Sequence, residues 1–353
     1  MSRKFRKQIR HNVLILLLVF PVWVSPSIGI GIAGVVQAAE KTSSLSASSP
    51  FPISLVDDRG HDIRLDRFAS RIVSLSPNIT ELVFSAGVGD KLVGASRYSD
   101  FPDAAKSVPD VGDSSSLDLE RIITLKPDLV IAWRSGNGRS DIEKLEKLGL
   151  TVFAAEATRL EDIPRLLRTI GKLTGTAAQA EPAASAYEEE LQQIKRNYGD
   201  RRKISVFQLI WHQPLMTVNG KHVISDIINI CGGVNIFESA SSLTPVISAE
   251  NLLEADPHAI ISSVPLGPAE TGVEALFRRF PHIQAVRSDH LFFVHPDLLH
   301  RQTVRILQAA KTVCAQLESV RSSREKKMMR QNDERSMIRA GFQTLNTNGA
   351  GFH

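Results

Sequence analysis

A repeat at a constant offset of 130 residues is the sequence feature that most constrains the fold. Residues 119–131 and 249–261 each combine an amphipathic helix pattern, a proline and an apolar strand pattern, with Glu120 and Glu250 at matching places. One unit used twice at this distance predicts two lobes built on one plan, rather than a solenoid of short period. A cleft between such lobes is a favoured place for a small ligand.

The remaining pattern from residue 71 onward alternates apolar strands with helices, which predicts parallel sheets covered on both faces. Residues 177–198 predict one long helix between the lobes. The expected fold class is therefore α/β, with two Rossmann-like lobes and their central sheets joined by a single long α-helix. The predicted segments are a leader and hairpin (40–70), an N-terminal lobe (71–158), an interlobe helical segment (159–199), a C-terminal lobe (203–320) and a disordered or weakly helical tail (321–353).

Residues 1–39 predict a cleaved signal peptide. They contain five cations and no acid, an apolar run at 13–24, and small residues at 36–39 that suit cleavage next to Ala38 or Ala39. Retention of the segment as an uncleaved anchor is the alternative. Because the net charge of +4 includes +5 from this segment and +4 from residues 321–353, residues 40–320 carry about −5. The basic isoelectric point is therefore no evidence for nucleic-acid binding.

The two cysteines, Cys231 and Cys314, suit an exported protein. A disulfide between them is the leading hypothesis in an oxidising compartment, and two buried free thiols are the alternative. A catalytic cysteine is less favoured, because Cys231 is followed by two glycines and has no histidine near it in the sequence.

Sequence motifs of common enzymes are absent: no nucleophile elbow, zinc-protease motif, phosphate-binding loop or Cys-x-x-Cys occurs in the chain. The ten histidines are scattered singly, which gives no indication of a metal site. The sequence therefore favours a binding protein over an enzyme.

The residues that follow the predicted strands are the candidate ligand contacts, because open α/β sheets bind ligands at the carboxyl ends of their strands. These candidates are Asn78, Tyr98, Trp133, Trp211 and the segment Asp297–Arg301. Trp133 could equally be an ordinary core residue. Glu120 and Glu250 could each simply favour a helix start, but their matched places suggest a pair of surface anions for a partner with two arginine clusters.

A resemblance to a known family covers residues 71–320. The segments that carry it are 76–82, 98–102, 119–134, 211–215, 231–237 and 296–301. They are similar to periplasmic substrate-binding proteins that have a rigid interdomain helix and supply ABC importers of vitamin B12, haem and ferric siderophores. The Trp133–Arg134 pair, the placement of the two cysteines and the segment Pro296–Leu299 point to the cobalamin branch.

This resemblance implies a periplasmic carrier, monomeric when free, that holds cobalamin as a transported ligand and not as a cofactor. It implies that Tyr98 packs on the corrinoid and that Asp297, Leu298, Leu299, His300 and Arg301 form a contacting loop. It also implies that Glu120 and Glu250 dock on the permease dimer, which works with an ATPase, and that Cys231 and Cys314 form the family disulfide. Two tryptophans of the family's cleft align with Ser114 and Thr244, so a ferric siderophore or haem is the alternative ligand.

Overall fold

The computed structural model describes residues 51–264 and 272–348, with side chains through residue 337. The predicted signal peptide and most of the leader lie outside these residues. Among the described residues, none of the helices combines the length and the apolar character that crossing a membrane requires.

The N-terminal lobe is built on a sheet of four parallel strands, in the spatial order Leu92–Ala95, Ile72–Ser74, Leu129–Trp133 and Val152–Ala155. An antiparallel hairpin of β1 (Ile53–Val56) and β2 (Asp62–Leu65) precedes it, as the sequence predicts. The remaining elements of the lobe are β3 (Ile72–Ser74), α1 (Pro77–Ser85), β4 (Leu92–Ala95), β5 (Gly112–Asp113), β6 (Ser116–Leu117), α2 (Leu119–Thr124), β7 (Leu129–Trp133), α3 (Arg139–Lys147) and β8 (Val152–Ala155).

Two antiparallel helices, α4 (Asp162–Thr174) and α5 (Ala177–Tyr198), connect the lobes. Gly175 ends α4 with a positive φ of 72°, a conformation that glycine adopts without steric cost. Helix α4 contacts α1 of the first lobe. Helix α5 contacts two helices of the second lobe, Val223–Ile230 and Ile306–Asn348. The connecting helices therefore pack on both lobes.

The C-terminal lobe repeats the plan, with four parallel strands in the spatial order Gly233–Asn235, Ile204–Leu209, Ala259–Ser262 and Leu291–Phe293. Its elements are β9 (Ile204–Leu209), β10 (Trp211–His212), β11 (Leu215–Met216), α6 (Val223–Ile230), β12 (Gly233–Asn235), α7 (Ala249–Ala255), β13 (Ala259–Ser262), α8 (Val273–Arg278), α9 (Gln284–Arg287), β14 (Leu291–Phe293), α10 (Pro296–Leu299) and α11 (Ile306–Asn348). The α2–β7 and α7–β13 units, which are the two copies of the repeat, each supply the third strand of a sheet. The predicted two-lobed α/β fold is thus confirmed.

Successive residues of a strand face opposite sides of the sheet, and in the inner strands of the two four-stranded sheets both sides are buried. In β7, Leu129 and Ile131 join one hydrophobic cluster, whereas Val130 and Ala132 join another beneath α2 and α3. The first cluster continues through α4, α5 and α11 into the second lobe and covers one face of that lobe's sheet. The other face of the same sheet has a hydrophobic cluster of its own. This shared core explains why the strands are apolar throughout instead of alternating.

Helix α5 contributes to the shared core through one stripe of side chains spaced three or four residues apart. The stripe consists of Ala180, Ala184, Tyr187, Leu191 and Ile194, all buried. On the polar side of the pair, Arg168 of α4 binds Glu181 and Glu188 of α5. The connection is therefore a packed helical pair and not a flexible linker.

The C-terminal segment, which the sequence left open between a disordered and a weakly helical tail, is helical in the structure as far as Asn348, the last residue of α11. Most of its apolar residues up to Val320 are buried, and after Val320 the described side chains are mostly exposed. The sequence there lacks the apolar periodicity of a packed helix, and this absence suggested disorder. The physical reason for the helix is that these residues have good helix propensity and extend a helix already nucleated by the core.

Candidate functional site

The carboxyl ends of three strands in the N-terminal lobe meet at a surface cavity of about 370 Å³. The turns after β3 and β4, the end of β7 and the β5–β6 turn form its wall. The lining residues are Leu75, Ser76, Pro77, Ser96, Arg97, Tyr98, Asp113, Ser114, Ser115 and Trp133. The structure thus brings together Tyr98 and Trp133, two of the aromatic residues that the sequence singled out.

Tyr98 is held in an unusual backbone conformation that leaves its ring available. Its φ is 68°, which is rare for a residue with a side chain, and 70% of the residue is exposed. Its carbonyl oxygen accepts a 3.4 Å hydrogen bond from Arg301 of the other lobe. An exposed tyrosine fixed in this way is suited to pack on a flat ligand.

Trp133 lies between the core and the cavity. It packs against the shared core, and its ring Nε1 donates a 3.1 Å hydrogen bond to Glu156. Its backbone nitrogen donates to Asn137, whose side-chain amide in turn donates to the Leu75 carbonyl. A Cβ atom at Gly136 would lie 1.8 Å from the indole ring, so only glycine allows this ring position.

A buried carboxylate joins the two lobes beside this cavity. Glu81 of α1, 2% exposed, accepts hydrogen bonds from Arg301 at 3.0 Å and from Arg305 at 2.5 and 2.9 Å. Arg301 also binds Asp100 at 2.7 Å and Asp297 at 3.2 Å. We call Glu81, Arg301 and Arg305 the interlobe triad.

The charges of the triad affect the acid beside it. Burial opposes ionisation of Asp100, but the hydrogen bond and the charge of Arg301 outweigh this effect, and the pKa of Asp100 is lowered. The pKa of Arg301 is raised in the same way: burial opposes its charge, and Asp100 and Glu81 outweigh the burial. Both groups are therefore charged at neutral pH.

The rest of the predicted contact loop is divided between core and surface. Leu299 is fully buried, Leu298 packs against the core, and Asp297 is partly exposed. His300 is held by a 2.6 Å hydrogen bond between its Nε2 and the Ser263 hydroxyl, and burial lowers its pKa.

Asn78 and Trp211 are not among the residues that line this cavity. Asn78 is buried, accepts a hydrogen bond from the Ser76 hydroxyl, and lies 3.4 Å from Gln302 of the other lobe. Trp211 follows β9 in the short β10–β11 hairpin and is 51% exposed, with its Nε1 bonded to the Gln213 carbonyl. Its ring is therefore available on the second lobe.

Glu120 and Glu250 occupy equivalent, exposed places in the first turns of α2 and α7. The side chains of Asp118 and Ser248 cap these helices by accepting from the third backbone amide. Hydrogen bonds from the backbone amide of Glu250 and from the Ser248 hydroxyl lower the pKa of Glu250. Each lobe thus presents one carboxylate at the same structural position.

Cys231 and Cys314 form a disulfide between the end of α6 and helix α11, which confirms that prediction. Both residues are fully buried. Within the described part of the chain, no cluster of three or more histidine, cysteine or acidic side chains could hold a metal ion.

Sequence reasoning missed Glu81 and Arg305. The available signal was a single acid inside the apolar helix Pro77–Ser85, where a charge on a buried face requires a partner. Nothing in the sequence identified Arg305 as that partner, because it lies 224 residues further along the chain.

Comparisons with known proteins agree with this architecture. A family model described as periplasmic binding protein matches residues 72–298. A vitamin B12-binding protein of Vibrio campbellii is 34% identical over 256 residues, which cover 72% of this chain and 92% of that protein. The crystal structure of a periplasmic vitamin B12 binding protein of Vibrio cholerae matches at a TM-score of 0.66 and 32% identity, with 72% of this chain and 98% of that chain covered.

A more distant likeness supports the fold alone. The periplasmic haem-binding protein HutB of Vibrio cholerae is 19% identical, with a TM-score of 0.62, and the match covers 70% of this chain and 98% of that chain. Since the family model spans more than half of the sequence, this chain belongs to the family of periplasmic binding proteins.

Proposed function

We propose that this protein captures cobalamin or a related corrinoid between its lobes and delivers it to an ABC importer of the inner membrane. The observation that carries the proposal is the cavity at the strand ends, where the exposed ring of Tyr98 and the half-buried ring of Trp133 lie in one wall. The relatives named as vitamin B12-binding proteins, at 32–34% identity over most of their length, support the same ligand.

The chemistry of the wall suits a large ligand with a flat apolar face and a polar rim. Tyr98 and Trp133 supply aromatic surface, on which a ring system gains stacking and burial energy. Ser96, Ser114 and Ser115 supply hydroxyl groups that could bind amide side chains of a corrin. The protein would contribute shape and hydrogen bonds and no covalent chemistry.

Delivery is part of the same proposal. A predicted cleaved signal peptide would place the protein in the periplasm, where it would act as a monomer when free. Glu120 and Glu250, one on each lobe, would bind arginines of the two permease subunits. The packed connection through α4 and α5 would keep their separation nearly constant, so that two weak contacts act together.

The test is ligand binding by the purified mature protein. Cyanocobalamin, haem and a ferric siderophore are each incubated with the protein, and the visible spectrum is recorded after gel filtration. We expect the corrinoid spectrum to elute with the protein and calorimetry to show one site. Retention of haem or siderophore, with no retained cobalamin, would contradict the proposed ligand and favour the alternative.

A further inference from the structure

The interlobe triad joins parts of the chain that are more than 200 residues apart. Glu81 belongs to α1 in the N-terminal lobe, whereas Arg301 and Arg305 lie between α10 and the start of α11 in the C-terminal lobe. The hydrogen bonds from Arg301 to Glu81 and to Asp100 span 220 and 201 residues of sequence. These contacts therefore bridge the lobes directly, independently of the helical connection.

The burial of these groups makes the bridge geometrically demanding. The Glu81 side chain is 2% exposed, and those of Arg301 and Arg305 are 14% and 15% exposed. Arg305 binds both carboxylate oxygens through its Nε and Nη2, which fixes the guanidinium plane relative to α1. Loss of Glu81 would leave the buried guanidinium of Arg305 without its carboxylate partner, so small displacements between the lobes at this point are opposed.

The same arginines hold the segment that carries Tyr98. Arg301 binds the Asp100 carboxylate and the Tyr98 carbonyl, and the Arg305 guanidinium lies 3.9 Å from the centre of the Phe101 ring. Cation–π contact and two hydrogen bonds thus act on residues 98–101 from the opposite lobe. The rare backbone conformation of Tyr98 is one that only such surrounding contacts maintain.

We propose that Glu81, Arg301 and Arg305 act as a latch that sets the separation of the lobes at the cleft and the orientation of Tyr98. Arg301 and Arg305 are then positioning residues, whose hydrogen bonds are used largely within the protein. The part of this proposal that concerns affinity rests on the proposed function, whereas the part that concerns geometry does not. Breaking the latch loosens residues 96–102 and 300–305 and leaves α5 unchanged.

The first experiment measures hydrogen–deuterium exchange of the unliganded full-length mature protein and of Glu81→Gln. The glutamine is isosteric, so the variant removes the charge and keeps the shape. We expect exchange at 96–102 and 300–305 to quicken about tenfold or more, with α5 unaffected. The matched control is Glu143→Gln, which removes the same charge from an exposed pair with Arg139 inside one lobe. Unchanged exchange in Glu81→Gln, or an equal increase throughout both lobes, would overturn the latch.

The second experiment measures the kinetics of cyanocobalamin binding to the same proteins. A loosened Tyr98 should raise the dissociation rate about tenfold while the association rate stays within about twofold. A dissociation rate equal to that of the unmodified protein would overturn the positioning role. If Glu81→Gln does not fold, Arg305→Gln replaces it in both experiments, because Glu81 then keeps Arg301 as a partner. If the unmodified protein binds no cobalamin, the proposed function fails, and the exchange measurement still decides the geometry.

Discussion

Reduction of the Cys231–Cys314 disulfide should remove a large part of the stability of this protein. The bridge closes a loop with a sequence separation of 83 and joins α6 to α11 around the strands β12, β13 and β14. In the chain-entropy model, a crosslink of this length disfavours the unfolded chain by about 4.5 kcal/mol. A typical domain is stable by about 5 to 15 kcal/mol, so the predicted loss is a substantial fraction of the total.

The assay compares urea unfolding of the oxidised protein with that of protein unfolded, reduced and refolded in a thiol-free reductant. Reduction removes no heavy atom from either buried residue, so the comparison measures the loss of the crosslink together with the extra room that two thiols need in a packed core. The Cys231→Ala, Cys314→Ala double variant serves as the control, since its transition should not respond to the reductant. A loss below about 1 kcal/mol on reduction would refute the argument from loop closure.

Three further predictions concern the ligand, the partner and pH. Tyr98→Ala should weaken cobalamin binding by about 1 to 3 kcal/mol in calorimetry, whereas Leu148→Ala, an exposed apolar residue at the end of α3, should leave it unchanged. Replacing both Glu120 and Glu250 by alanine should abolish uptake and complex formation with the permease, and should change the free energy of unfolding by less than about 0.5 kcal/mol; full uptake by the double variant would leave these glutamates as helix-start residues only. Burial, together with the charge of His300, lowers the pKa of His222 from 6.5 to about 4, so the unfolded chain takes up a proton before the folded protein does. Stability should therefore fall by about 2 kcal/mol between pH 7 and about pH 4.5, and His222→Asn, which can still cap α6, should show a smaller fall in urea unfolding.

The elements of the fold were predictable because their signals are local. The strand Leu129–Trp133 and the long helix Ala177–Tyr198 follow from runs of apolar residues and from helix propensity, and the structure reproduces their positions. The short strand Gly233–Asn235 has no comparable local signal, since three residues that begin with a glycine give no periodicity. For the part of α11 beyond residue 320 the sequence left disorder and a weak helix both open, because an exposed helix needs no apolar stripe.

The candidate site also contains features that local sequence signals predict and features that they do not. Strand-end positions placed Tyr98 and Trp133 in one cavity, because the carboxyl ends of parallel strands meet at one edge of a sheet. Arg301 was predicted only as a ligand contact, and the structure gives it a buried carboxylate from the other lobe as its partner.

The sequence by itself determined the two-lobe plan, through a repeat that is visible at a 130-residue offset, and it determined the helical connection and the candidate strand ends through the periodicity of neighbouring residues. Only the tertiary structure decided which distant charges meet. The pairing of Glu81 with Arg301 and Arg305 depends on how two lobes pack across a shared core, and no local pattern encodes that arrangement. Its physical cause is that a carboxylate buried on α1 is stable only where opposite charges are brought to it.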